Sequence, residues 1–162
     1  MGWVGAAASA HGVAFVTLPM PTEESALEKL LAARPDASLD PSPSALLDAI
    51  CRDLTAFYSG NRVDFDQPLD LAGRPPFFRR VWEIVQAVPW GATLSYGEVA
   101  RLAGAPRAGR AVGSAMAHNP VPPLVPCHRV LRGDGRLGGF GGGLDMKRQM
   151  LLNEGVRLDP IA

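Results

Sequence analysis

Cys127 and His128 are neighbours in the run Pro126-Cys127-His128-Arg129-Val130, which follows Asn119-Pro120-Val121-Pro122-Pro123 and precedes the glycine-rich Gly138-Gly139-Phe140-Gly141-Gly142-Gly143. A cysteine held near a base can lose its proton, and the thiolate is the form that attacks carbon. Adjacent residues in a regular element point in different directions, so this imidazole is poorly placed to touch this thiol, and a water between them solves the geometry. A cysteine hydrolase needs a directly paired histidine and an oxyanion hole, and the sequence offers neither. The second cysteine, Cys51, falls on the apolar stripe of a helical pattern and reads as an inert core thiol.

Two cysteines in 162 residues make no disulfide framework, and histidines at 11, 118 and 128 give no metal-ligand spacing, so a reducing, cytosolic setting without structural zinc is expected. A hydrophobic share of 47% with 20% charged residues describes a globular chain with a real core. Ala6-Ala7-Ala8-Ser9-Ala10 is faintly like a signal-peptide cleavage site, but no Lys or Arg precedes it and the apolar run is short, so it is read as strand. No apolar run approaches membrane-spanning length. The net charge of zero hides a split: residues 1–71 carry four basic against ten acidic side chains, a net of −6, and residues 72–157 carry twelve against five, a net of +7. Asp159 supplies the remaining charge. An excess of arginine in one half suits a phosphate-binding surface, although solvated surface charge gives the same sum.

The elements that must position the thiol follow from periodicity. Apolar runs at 2–10 and 12–18 suggest a hairpin broken at His11-Gly12. Thr22 caps a helix carrying Leu27, Leu30 and Leu31; a Pro/Ser/Asp loop spans 37–43; Ser44 caps a longer helix with Leu47, Ile50, Cys51, Leu54, Phe57 and Tyr58 on one stripe. Val63 and Phe65, alternating with Asp64 and Asp66, suggest a last strand before a linker at 69–76. Beyond it, Phe77, Val81, Ile84, Val85 and Val88 form a helical stripe that stops at Pro89.

Ser95-Tyr96-Gly97-Glu98 fits a capping box, which starts a helix closed by Gly104, and Pro106 opens a second helix over 107–117. Two short helices around a glycine turn make a helix-turn-helix candidate. The second carries little bulk, and Arg107 and Arg110, three apart, project from one face. That pattern fits nucleic-acid recognition or a small-residue packing helix equally well.

The Pro-Cys-His-Arg-Val pentapeptide, its Asn-Pro-Val-Pro lead and the later Gly-Gly-Gly-Leu resemble the active-site signature of O6-alkylguanine-DNA alkyltransferases, also called methylated-DNA-protein-cysteine methyltransferases. The resemblance is strong over 77–155. It implies a small N-terminal ribonuclease-H-like α/β lobe (1–71) and a mainly helical C-terminal lobe (72–162) containing the helix-turn-helix, an α/β protein overall. It implies a monomer that binds duplex DNA through the minor groove and takes the alkyl group of O6-methylguanine, and of O4-methylthymine, onto Cys127 in a single turnover, without metal or organic cofactor.

By the same resemblance Arg110 enters the duplex in place of the extruded nucleotide, with Arg107, Ala111 and Ser114 alongside it on the DNA. Tyr96 rotates the nucleotide and donates to the base. Glu154, His128, a water and Cys127 stand in series; a carboxylate at a helix C-terminus opposes the macrodipole, and His128 as partner makes sense of it. Asn119 ties the second helix to the Cys segment, and Arg129 binds backbone carbonyls. The carbonyl of Val130 and the amide of Gly141 meet the guanine, with Met116 and Phe140 also lining its site. Phe140 stands where the family often has Tyr, which keeps an aromatic wall but no hydroxyl. Alkyltransferase-like binding proteins lack the acceptor cysteine, so Cys127 argues against that reading, and a plain transcription regulator needs no Cys-His beside a glycine loop.

Overall fold

The computed structural model describes residues 2–39 and 44–158; residues 40–43 of the expected loop, and Asp159, lie outside them. Its contacts divide into two units, one running to Ala72 and taking in Pro120–Pro122, the other made of Gly73–Asn119 and the chain from Pro123 onward.

In the first unit β1 (Ala6–Ser9) and β2 (Gly12–Val16) form the expected hairpin, antiparallel with Ala6 opposite Val16 and an irregularity between Ala7 and Ala8. Helix α1 (Glu23–Ala33) is capped by Thr22, whose hydroxyl accepts from the amide of Ser25, and α2 (Ala45–Tyr58) by Ser44, which accepts from the amide of Leu47. Ile50, Leu54 and Phe57 are the buried positions of α2, and Cys51 is exposed. The core reading of Cys51 is therefore corrected: one residue beyond Ile50 rotates the side chain about 100° around the axis, off a stripe that the 50, 54, 57 spacing already fills. The strand expected at Val63 and Phe65 is also absent. Its place beside β2 goes to Leu69, through a single parallel bridge to Val13 in which the Val13 amide donates to Pro68 O and the Asp70 amide to Val13 O. Phe65 instead stacks at a tilt on Phe57, with ring centroids 5.7 Å apart. Pro120 joins this unit by accepting from the amide of Val16 at 2.8 Å.

The second unit is mainly helical. Helix α3 (Pro76–Gln86) starts on a proline, where the missing N–H costs nothing, and buries Val81, Trp82 and Val85. Trp82 was not on the expected stripe, and its indole N–H donates to Ala115 O at 2.9 Å. The expected capping box is present at Ser95 and Glu98 and starts α4 (Tyr96–Leu102). After a turn comes α5 (Gly109–Ala117), which packs on α3 and α4 and completes the helix-turn-helix. Cys127–Arg129 form one 3-10 turn, and α6 (Leu144–Asn153) closes the unit.

One pairing had no clear sequence signal. β3 (Leu94–Ser95) lies parallel to β4 (Val130–Leu131), with Leu94 opposite Val130 and Ser95 opposite Leu131. This two-residue ladder joins the start of α4 to the end of the Cys segment. The mixed α/β architecture with a helix-turn-helix is as the sequence led us to expect.

Candidate active site

Every residue from Val121 to Val130 is buried, so the signature lies inside the protein. Asn119, just past α5, donates from Nδ2 to Val125 O at 2.7 Å and bonds to the Cys127 thiol. Burial pushes the thiol above its ordinary range; the Asn119 hydrogen bond, the charge of Lys147 and nearby backbone amides pull the other way. At rest the sulfur is a protonated, sheltered thiol rather than a free thiolate.

His128 and Glu154 are both inaccessible, and Nε2 lies 2.7 Å from Oε1. Arg129 holds the same carboxylate from Nε at 2.9 Å and Nη2 at 3.0 Å, and the amide of Gly91 reaches Oε2 at 3.2 Å. Burial alone would raise the Glu154 pKa, but the hydrogen bonds from His128 and Arg129 leave it below the usual carboxylate range. Burial lowers the pKa of His128, with the Arg129 and Lys147 charges adding to it and Glu154 opposing. A neutral imidazole facing a carboxylate must place its proton on Nε2, so Nδ1 carries the lone pair and is the basic atom. Arg129 does reach a carbonyl, Val88 O at 2.5 Å, as expected. Its fork on Glu154 was not foreseen.

Gly91 has φ +79°, and a Cβ built there would fall 2.9 Å from the Glu154 carbonyl oxygen. The backbone at 91 can thus lie against the end of α6 only as glycine.

Tyr96 is half-buried beside the same centre, and its phenol pKa is raised by burial and by the charge that Cys127 can carry. Its ring lies between two glycines: a Cβ built on Gly113 of α5 would come within 4.0 Å of Cε1, and one built on Gly138 within 3.1 Å of Cε2 and 3.2 Å of the hydroxyl. Gly138 also has φ +66°, a backbone region where side chains other than glycine's are strained.

On α5, Val112, Ala115 and Met116 point inward, whereas Arg110 and Ser114, four apart, share the exposed face and Ala111 is half-buried between them. Arg107 is exposed but does not lie on that helix. Ala108 donates its amide to Ala105 O, which closes a turn, and the first helical bond runs from Val112 to Ala108 O. The expected shared helical face of Arg107 and Arg110 is therefore corrected. Phe140 is half-buried and Gly141 exposed in the glycine loop. The Val130 carbonyl, expected to face a base, accepts from Lys147 Nζ at 2.7 Å.

Lys147 is the residue that sequence reasoning missed. It is fully buried and donates to the Val130 and Leu137 carbonyls. Its signal was present: Lys147, Met150, Leu151 and Glu154 are all buried and follow i, i+3, i+4, i+7 spacing, an inner stripe with a charge at each end. Among the described residues no cluster of three His, Cys, Asp or Glu side chains could hold a metal ion, and no helix is long and apolar enough to cross a membrane.

A family model described as 6-O-methylguanine DNA methyltransferase, DNA binding domain, matches residues 76–156, the stretch that holds every group just placed around Cys127. The chain belongs to this family. Curated relatives named methylated-DNA–protein-cysteine methyltransferase include one from Mycolicibacterium paratuberculosis, 49% identical over 113 residues, which is 70% of this chain and 67% of that one. Another, from Mycobacterium bovis, is 47% identical over 111 residues, 68% of this chain and 66% of the relative, so the aligned stretch spans about two thirds of these methyltransferases.

Among solved structures of the family, Mycobacterium tuberculosis OGT in complex with DNA superposes with a TM-score of 0.74 at 36% identity, covering 93% of this chain and 85% of its own. The O6-methylguanine-DNA methyltransferase of Pyrococcus kodakaraensis gives 0.74 at 28% identity, covering 95% and 92%. The family's fold thus extends over the N-terminal unit as well.

Proposed function

We propose that this protein repairs DNA directly, binding duplex DNA and moving the methyl group of a flipped-out O6-methylguanine, or O4-methylthymine, onto Cys127. Arg110, exposed at the start of α5, enters through the minor groove and fills the space of the extruded nucleotide, with Ser114 and Ala111 against the backbone and Arg107 as a flanking phosphate contact. Tyr96 turns the base inward; Phe140 and Met116 line its site; the Gly141 amide and the Val130 carbonyl address its edge.

His128 Nδ1 takes the thiol proton through a water, and Glu154 stabilises the imidazolium that forms. The thiolate attacks the methyl carbon along the line of the C–O6 bond. The S–C bond forms as the C–O6 bond breaks, its electron pair leaves with guanine, and a proton from Tyr96 neutralises the leaving base. The thioether has no proton to lose and no route back, so each molecule acts once, as a monomer, in the cytoplasm where the DNA lies.

The observation that carries this reading is the 2.7 Å His128–Glu154 contact, which directs the imidazole's basic nitrogen away from the carboxylate, in a wholly buried Cys segment. Incubation with a duplex containing O6-methylguanine, followed by peptide mass analysis, tests it. One added methyl on the Cys127 peptide, in a ratio of one per protein, is expected; an unmodified Cys127 in folded protein overturns it.

A further inference from the structure

Lys147 is one of the largest fully buried side chains, and no carboxylate approaches its ammonium among the described residues. Its hydrogen-bond partners are two carbonyl oxygens, of Val130 and Leu137. Glu154, at the other end of α6, is occupied by His128, Arg129 and Gly91, and the unit's other described acids, Glu83, Glu98, Asp134 and Asp145, are exposed. A buried ammonium without an anion is costly, and carbonyl dipoles alone offset that cost only in part. Lys147 binds Val130 O, three residues past Cys127, and α6 packs on the Cys127–Arg129 turn, so the acid in its reach that can become an anion is Cys127.

We propose that Lys147 is the built-in counter-charge of the Cys127 thiolate, a positioning residue that favours negative charge on sulfur and keeps His128 neutral and able to accept the proton. The inference rests on Cys127 being the acceptor. The groups facing the thiol are Asn119 after α5, Tyr96 at the start of α4, and Lys147 from α6; those facing His128 are Glu154, Arg129 and Lys147. Tyr96 and Asn119 are neutral near pH 7, so at that pH Lys147 is the positive charge beside the sulfur. Burial draws its own pKa down to about 8, which leaves it mostly protonated at pH 7. The two carbonyl bonds hold the ammonium in place at the first turn of α6, where the macrodipole disfavours a cation and only a local purpose accounts for one.

The test is the pH profile of alkylation by iodoacetamide, read peptide by peptide, in the wild type and in Lys147→Gln and Lys147→Arg. The reagent needs neither DNA nor lesion, so the result stands apart from whether methyl transfer occurs, and the exposed Cys51 serves as an internal reference. In Lys147→Gln the Cys127 midpoint should rise by about one unit or more, with about a tenfold slower reaction at neutral pH, as for removal of an opposite charge nearby. Cys51 should not move, and Lys147→Arg should stay near the wild type. An unshifted Cys127 midpoint in folded Lys147→Gln overturns the proposal and leaves Lys147 as a brace for two carbonyls. If Lys147→Gln does not fold, the lysine is left in place and its 13Cε titration compared in Cys127→Asp and Cys127→Ser. A higher midpoint with Asp supports the pairing, and equal midpoints overturn it.

Discussion

His128 and Glu154 meet at 2.7 Å with neither side chain accessible to solvent, and the same carboxylate is gripped by both Nε and Nη2 of Arg129. Replacing the carboxylate by an amide removes the charge that both partners use. In Glu154→Gln the imidazole can change tautomer, and single-turnover methyl transfer, followed by quenched flow, should slow by about two orders of magnitude or more. Glu154→Ala should also unfold more readily, by about 3–5 kcal/mol in chemical denaturation, because it strands a buried guanidinium.

Acid should weaken the fold in two steps. The pKa of His128 lies below its ordinary 6.5 and that of Glu154 below its ordinary 4.5, so in both windows the unfolded chain binds more protons than the folded one. Stability from each is complete above the unfolded value and is lost as pH falls through the folded value. Melting temperature should therefore begin to drop as pH falls below about 6.5 and drop further below about 4.5. The second step should be much reduced in Glu154→Gln, as scanning calorimetry at a series of pH values would show.

Arg110 is exposed, so Arg110→Ala should leave the melting temperature nearly unchanged. Repair of a duplex should nevertheless fall steeply, while iodoacetamide labelling of Cys127 proceeds at the wild-type rate. Loss of both reactions together would mean that Arg110 supports the site itself rather than the base-flipping step. The salt dependence of duplex binding should lessen by about one counterion.

Gly138→Ala combines two penalties, a left-handed backbone at φ +66° and a methyl 3.1 Å from the Tyr96 ring. A stability loss of about 1–2 kcal/mol is expected from the backbone alone. Displacing the phenol should slow transfer from duplex DNA beyond what that loss explains, visible as a lower rate at temperatures where the variant is fully folded.

The caps were legible because each is a local exchange between a side chain and an amide three residues on, as at Thr22, Ser44 and Ser95. The Cys51 error came from a stripe read one residue too wide. The Arg107 error arose because Pro106 permits a helix start without enforcing one, and the bond from Ala108 to Ala105 O made a turn instead. Lys147 and the Arg129 fork escaped notice because a buried charge is recognised by its partners: the stripe from Lys147 to Glu154 has helical spacing, but the distant carbonyls that receive the ammonium, and the fork itself, leave no periodic trace. The strand at Val63 lost to Leu69, since which segment pairs with an edge depends on where the chain arrives rather than on its alternation. Around Cys127 the residue types were readable; their mutual distances were set by tertiary packing.

The short β3–β4 ladder fixes Tyr96 relative to Cys127 through main-chain pairing, Leu94 against Val130 and Ser95 against Leu131. Alignment between the residue that would read the base and the residue that would accept the alkyl group is thus a property of the backbone. The side chains of Leu94, Val130 and Leu131 can be exchanged for other strand-forming residues without disturbing that alignment, whereas Ser95 also caps α4, and a proline in place of a pairing amide there would uncouple recognition from reaction in a protein with both residues intact.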